Sequence, residues 1–565
     1  MARTLLFDWF RRLYAMHRLA RERAMPPLEV VGMDLEERRL KWSRRGVLRA
    51  GMIGAGAMAM RGLSACDAPG ESIPVAVVGA GLAGLVCTHR LHQAGLRVQL
   101  FEASNRTGGR TFTARGMLEG GQICELGGEL VNSNHMTMHA LVMEFGLSLD
   151  DLLEPSLRET YHIGGRDVPV DEISTAFEPV AQAIARDFEP TMEVDAMGEP
   201  TPRAIEAFMR LDRTSLKDWL GDPRNGANPL IRTLLEIAYI CEYGLEAEEQ
   251  SVLNLMYLID YRMVRPFRIL GDSDERYHIH EGSEAIAQAI TRLYADRIHL
   301  EHRLVAIRKG SGGKIRLVFS RGGSTVERDF EQVVLTIPFT LLREVEIDDG
   351  LISPMKRMTI NGLGYGTNAK LMMQTRTRVW RGMGKNGAGY TDNGAQAFWD
   401  TSRGQAGVHG ILTNFTGGRK GVEIGQGSAS EQADRTAQLI EQVFPGFVGA
   451  RNGTALRMHW PTAPFAKGSY ACYRPGQWSW HGLERETEAE GKLLFAGEHT
   501  SVDFQGFMEG AASEGARAAM EILERRRMRG RAEMLVELGL VVPSRPHPRR
   551  GLLRVAEAIR RTHSQ

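Results

Sequence analysis

Across 565 residues, hydrophobic side chains make up 43% and charged ones 25%, an ordinary balance for a globular chain with room for two or more domains. Lys and Arg number 70 against 69 for Asp and Glu, a net charge of +1, so no global basic surplus points to nucleic acid. Five cysteines, Cys66, Cys87, Cys124, Cys241 and Cys472, form no CxxC pair and have no His partner at ligand spacing, which speaks against a disulfide scaffold or a metal site.

The charge is uneven along the chain. Residues 1–62 and 525–565 are rich in arginine, which fits solvated tails or contact with anionic lipid. Residues 41–66 read KWSRRGVLRAGMIGAGAMAMRGLSAC. The apolar run from Ala50 to Met60 is far short of the roughly 20 residues that span a bilayer. Arg44-Arg45 ahead of a short, weakly apolar run is the layout of a Tat export signal. Leu63-Ser64-Ala65-Cys66 adds a lipobox-like ending, in which Cys66 would be lipidated and tie the exported protein to a membrane. The competing reading is an accidental Arg-Arg on an amphipathic helix, since about 40 residues precede the pair.

Next comes IPVAVVGAGLAGLVCTHRLHQAGLRVQLFE (73–102). Val75–Val78 is an apolar run suited to a buried parallel strand, and Leu85 to His92 continues with helical spacing. Between them Gly79 permits a tight turn, Gly81 lets backbone approach a pyrophosphate, and Gly84 lets helix and strand pack closely. A second strand, Arg97 to Phe101, ends in Glu102, placed to accept from an adenosine ribose. Strand, glycines, helix and acid in register predict a dinucleotide-binding unit. Arg106-Thr107-Gly108-Gly109-Arg110 then suits a loop passing close to an extended, doubly charged cofactor.

RxGGR after such a unit resembles the flavin-containing amine oxidases, which include monoamine, polyamine and L-amino-acid oxidases; the resemblance runs over most of 73–523. It implies non-covalent FAD, with Gly79, Gly81, Gly84, Glu102 and Arg110 in the cofactor site. Glu125-Leu126-Gly127-Gly128-Glu129 resembles the segment whose glycines, Gly127 and Gly128, line flavin and substrate. IHLEHRLVAI (298–307) resembles the strand whose Val305 backbone holds the adenine, and VVLTIPFTLL (333–342) the return into a second domain. FAGEHTSVDFQGFMEGAASEGARAA (495–519) resembles the C-terminal signature: Gly497 and Glu498 at the ribityl chain, and a helix from Met508 aimed at the flavin.

The resemblance also implies the catalytic set. Lys370, in YGTNAKLMM, lies in an alternating strand pattern that alone reads as a solvated residue; in the family a lysine here holds a water against the flavin. Tyr470 and Phe507 take the places of two rings that sandwich the substrate amine, and Trp460 faces the flavin. Ser469 stands where some relatives tether FAD through a cysteine, and Cys472 should point away. Glu129 replaces the arginine with which amino-acid oxidases often hold a carboxylate, so it suits a cationic substrate group, or serves as a cap; Arg262 or Arg268 would have to reach in for a carboxylate. His135 and His139, four apart, read as a helix surface without a third metal ligand.

The expected fold is α/β: a Rossmann-like FAD-binding domain (73–142, 276–345, 488–525) interleaved with a substrate domain of a helical section (143–275) and a strand-rich section (346–487), in a glutathione-reductase-like two-domain architecture. Residues 1–66 form the extension and signal, and 526–565 a basic tail. The expected reaction moves a hydride from the carbon bearing an amine to flavin, giving an imine that water converts to carbonyl and ammonia, with H2O2 formed from O2. A respiratory acceptor in place of O2, a desaturase or isomerase acting on an apolar substrate, and a non-catalytic FAD-binding subunit are the alternatives. The expected setting is periplasmic or extracellular, with homodimer formation left open.

Overall fold

A computed structural model describes residues 74–480 and 486–541. The Arg44-Arg45 stretch expected to act as an export signal, with Cys66, and the tail beyond residue 541 lie outside them. The chain divides into two compact units, 1–72 and 73–565, and all that follows concerns the second.

Strand β1 (Val75–Val78), helix α1 (Leu82–Gln93) and strand β2 (Val98–Phe101) form the expected unit, with β1 and β2 parallel from Val75↔Val98 to Val78↔Phe101. β1 contains no polar side chain and is buried along its length, as a strand covered on both faces must be. Gly79 turns the chain at φ +104°, a conformation a side chain rarely adopts. A Cβ on Gly84 would sit inside the Gly79 carbonyl oxygen and 2.7 Å from Thr336 Oγ1, so α1 crosses the strand end at a distance only glycine allows. Three distant segments complete the five-stranded parallel sheet, in the order Ile298–His299, β2, β1, Gln332–Leu335, Leu493–Phe495.

Helix α2 (Met136–Glu144) and helix α3 (Pro229–Tyr243) belong to the intervening segments. α3 begins where Asn228 accepts from the Ile231 N–H with Pro229 behind it, and ends at Gly244 with φ +74°. Strand β3 (Ala369–Thr375) lies inside a seven-stranded sheet, antiparallel to Gly410–Thr416 on one side and Arg451–His459 on the other. Ala369, Leu371 and Met373 of β3 pack in one apolar cluster with Ala433, Ala437 and Ile440 of the helix Ala429–Val443. Met372, from the opposite face, packs with Ala114, Cys124 and Leu126. Lys370 shares that face, so both sides of the strand are covered and its alternation does not put the lysine in water.

Helix α4 (Met508–Arg525) closes the unit. Its small residues serve close packing: a Cβ on Gly515 would overlap the Ala83 carbonyl of α1. Glu509 accepts from the Thr137 and Met138 N–H groups at 2.9 and 2.8 Å, joining the first turn of α4 to the first turn of α2. His135 and His139, expected on a surface, are buried here. The His135 ring meets Phe504 and Phe507 edge-on, and His139 Nε2 lies 3.0 Å from the Asn132 carbonyl. The difference comes from distant segments, Phe504 and Phe507 ahead of α4 over His135 and Tyr277 over His139, which the short sequence around α2 does not show.

Candidate active site

A cavity of about 470 Å3 runs from Glu102 and Ser104, past Gly79, Gly81 and Arg110, to Lys370, Trp399 and Tyr470. At its first end the Glu102 carboxylate accepts from the Ala80 N–H at 2.7 Å and the Ser104 N–H at 2.8 Å, which fixes it at the cavity wall. His302, Arg303 and Leu304 border the same end. Val305 follows them at a bulge, where the ladder with Ile315–Arg321 passes from Leu304 to Ala306. Arg110 bonds Glu498 at 2.9 Å and the Ser469 carbonyl at 2.5 Å, while Glu498 also accepts from the Gly506 N–H at 3.0 Å. That half-buried pair ties three loops together around the cavity, and Gly497 before it has φ +153°.

Two features test the fit of a dinucleotide. A Cβ on Gly81 would meet nothing within 4 Å, so the backbone there faces open space at the start of α1, where N–H groups and the helix dipole favour phosphate. The floor is flush for the opposite reason. Trp460 lies 3.2 Å from where a Cβ on Gly127 would stand, and Met508 Cγ lies 2.7 Å from one on Gly128. Phe507, Met508 and Ala511 bring the N-terminus of α4, its positive end, to the same cavity.

At the second end Lys370 is 5% exposed. Its ammonium donates to the Gly127 carbonyl at 2.7 Å, the Glu125 carbonyl at 3.2 Å and Glu129 Oε2 at 2.8 Å. The other Glu129 oxygen accepts from Trp399 Nε1 and Thr401 Oγ1, both at 2.9 Å. Burial alone would raise the Glu129 carboxyl, but Lys370, His278 and these hydrogen bonds outweigh it and hold it below the ordinary value. Glu129 therefore has three protein donors, and its charge is cancelled by Lys370 before any substrate arrives. Ser469 Oγ donates to Asn368 Oδ1 at 2.6 Å, and Cys472 lies by Asn254 rather than at the cavity. Tyr470 and Phe507 border one cavity, with the Tyr470 ring 3.5 Å from where a Cβ on Gly506 would stand. Neither Arg262, which lies 5.3 Å from the Tyr261 ring, nor Arg268 borders it.

Sequence reasoning missed four residues. Trp399, in the strand Gln396–Asp400, and Thr401, in the turn after it, hold Glu129, and the local pattern marks neither. Glu242 and Glu275 border the cavity, and among the described residues neither carboxylate meets a hydrogen-bonding or ion-pair partner. Glu242 is half-buried and Glu275 exposed, and desolvation by the surrounding protein pushes Glu242 up to about 8 and Glu275 up to about 7; Glu275 raises Glu242 further, while Arg403 lowers Glu275 and Glu159, Glu129 and Asp274 raise it. The one signal for Glu242 is an acid in the last turn of a largely apolar helix, at the negative end of its dipole. A folded value above the unfolded 4.5 means that ionised Glu242 costs stability, a cost that grows from about pH 4.5 to about pH 8 and then levels off. Glu242→Gln is therefore expected to melt above the wild type at pH 9, with the gap closing toward pH 5; an equal gap at both would show that Glu242 is not held against its charge. No group of three metal-ligating side chains occurs among the described residues, and no described helix is long and apolar enough to cross a membrane.

Comparison with known proteins matches residues 82–523 to the flavin containing amine oxidoreductase family. Similar chains include a pseudooxynicotine dehydrogenase of a Pseudomonas species, 24% identical over 79% of this chain and 85% of that one. Human amine oxidase [flavin-containing] B is 24% identical over 80% and 86%. A mouse L-amino-acid oxidase is 24% identical over 79% and 70%. The fold is that of putrescine oxidase bound to putrescine (TM-score 0.67, 20% identity, 80% of this chain and 99% of that one). It is also that of cyclohexylamine oxidase from Brevibacterium oxydans IH-35A (TM-score 0.67, 19% identity, 81% and 100%). With the glycine cradle, the Arg110–Glu498 tie and the buried lysine on one cavity, and a match across most of its length, the chain belongs to the flavin containing amine oxidoreductase family and is an FAD-dependent amine or amino-acid oxidase.

Proposed function

We propose that the substrate is an amine without an α-carboxylate, oxidised at the carbon bearing nitrogen to an imine that water converts to a carbonyl compound and ammonia or a smaller amine, with O2 reduced to H2O2. The charge inventory of the cavity beyond the cofactor end carries this reading. Its cation, Lys370, is already paired with Glu129, and the remaining charged groups there, Glu242 and Glu275, are acidic. A substrate carboxylate would meet repulsion and no free cation, a penalty of several kcal/mol in a site shielded from water.

FAD, when bound, supplies the ring that accepts the hydride. Gly81 and the N–H groups of α1 would hold its phosphates, Glu102 a ribose, and Arg110 with Glu498 the segment nearer the ring. Ser469 has no sulfur to form a thioether, which supports non-covalent binding. Tyr470 and Phe507 are suited to flank the substrate nitrogen with aromatic faces and narrow its approach. Neutralised by Glu129, Lys370 leaves no net positive charge to repel an amine, and its three donors, engaged by the Gly127 and Glu125 carbonyls and Glu129, fix the ammonium at the cavity wall. The Arg44-Arg45 signal supports export of the folded holoenzyme to the periplasm, and Cys66 supports retention at a membrane.

The test is anaerobic mixing with n-hexylamine, benzylamine, L-leucine and L-glutamate, followed by air and a peroxide assay. The amines are expected to bleach the visible flavin band and release H2O2, with the amino acids slower by about 10-fold or more. An enzyme bleached by no amine would refute the reading, and one preferring L-leucine would reverse the choice of substrate class.

A further inference from the structure

Glu242 and Glu275 come from unconnected parts of the fold, the last turn of α3 and the irregular segment before Tyr277, yet border the same cavity as Lys370, Tyr470 and Phe507. Glu275 is near enough to raise the Glu242 acid, and Glu242 is the first charge felt by the Tyr470 phenol, after burial itself. Glu275 also feels Glu159, Glu129 and Asp274. Arg403 is the cation that offsets part of this charge; it stands back from the cavity, donating to the Asp400 carbonyl at 3.1 Å. Lys370 is spent on Glu129. Carboxylates of structural importance in this chain are tied down, as Glu125, Glu129, Glu498 and Glu509 are by N–H and ammonium donors. These two are not. The Gln505 side-chain nitrogen, shielded from water on the same cavity wall, also has no protein partner. Acids that line a cavity without donors become costly once a bound molecule displaces the water around them, unless that molecule supplies the donors and the charge.

We propose that Glu242 and Glu275 form a subsite for a second cationic nitrogen of the substrate, so that the preferred substrates are diamines or polyamines rather than monoamines. This rests on the reading of the cavity as an amine-oxidising site and reassigns the cation-binding role that the sequence suggested for Glu129. One nitrogen, uncharged, sits between Tyr470 and Phe507. The other, charged, replaces the missing donors at the acidic pair and selects chain length by the span between the two positions. An ammonium there also opposes the negative end of the α3 dipole.

The test compares α,ω-diamines of three to eight carbons with n-alkylamines of the same length, using holoenzyme under steady-state and anaerobic single-turnover conditions. The wild type is expected to favour diamines by about 10-fold or more in kcat/KM, with a single length optimum, and mainly through KM. Glu242→Gln and Glu275→Gln are each expected to lower the diamine-to-monoamine ratio about 10-fold while FAD content is retained. A wild-type ratio near one would overturn the subsite even if both variants failed to fold, and would leave amine oxidation standing. Equal losses on both substrate classes in the variants would likewise overturn it. Failure of every amine to bleach the flavin would overturn the subsite and the proposed function together.

Discussion

Replacing Lys370 by Met is expected to cost about 3–5 kcal/mol of stability, because it leaves the Glu129 carboxylate buried without its counter-charge. Both side chains are under 10% exposed, so water cannot take over. Glu129→Gln strands the lysine in the same way, whereas the double variant Lys370→Met/Glu129→Gln removes both charges and should recover much of the loss. The expected coupling is about 2–3 kcal/mol in a double-mutant cycle read by urea unfolding in saturating FAD. Strictly additive losses would show that the two charges do not depend on each other. The pair also has a pH signature. Glu129 is held below its unfolded value, so its contribution is complete above the ordinary carboxyl range and is lost as pH falls through the lower, folded value. In activity, Lys370→Met is expected to slow turnover about 10-fold or more with FAD still bound. Recovery of apo-protein instead would make Lys370 a residue of the cofactor site.

Two glycines of one fingerprint are expected to fail in different ways. Gly84→Val puts a side chain into the Gly79 carbonyl and Thr336 Oγ1. Backbone cannot yield as a side-chain tip can, so α1 must part from β1, at about 3 kcal/mol or more. The apo-protein itself should melt lower. Gly81→Ala meets no protein atom within 4 Å and should leave the apo-protein as stable as the wild type. Its methyl group projects instead into the space a pyrophosphate would use, and FAD affinity is expected to fall about 10-fold or more. Calorimetry of the apo-proteins and fluorescence titration with FAD separate the two. Undiminished FAD binding by Gly81→Ala would place the phosphates elsewhere.

The nucleotide end was legible in the sequence because its requirements are local. Val75–Val78, Gly79, Gly81, Gly84 and Glu102 lie within about 30 residues, and each answers to a constraint of backbone geometry or burial that a short stretch can express. The substrate end was legible only through family resemblance, and only in part. Lys370 could be located by its motif, but not its ion pair, since Glu129 lies 241 positions away and Trp399 270 positions from that acid. His135 and His139 were misread because the rings that cover them, Phe504 and Phe507 for the first and Tyr277 for the second, come from distant parts of the chain.

The sequence by itself thus determined a dinucleotide-binding α/β chain and its family motifs, all of which depend on residues close together. The tertiary structure decided the charge of the substrate cavity. It turned Glu129 from a candidate substrate contact into the partner of Lys370, and brought Glu242 and Glu275 to the wall without partners of their own. Whether a carboxylate is spent or free depends on which donors reach it across the fold, and that is a property of packing rather than of neighbouring residues.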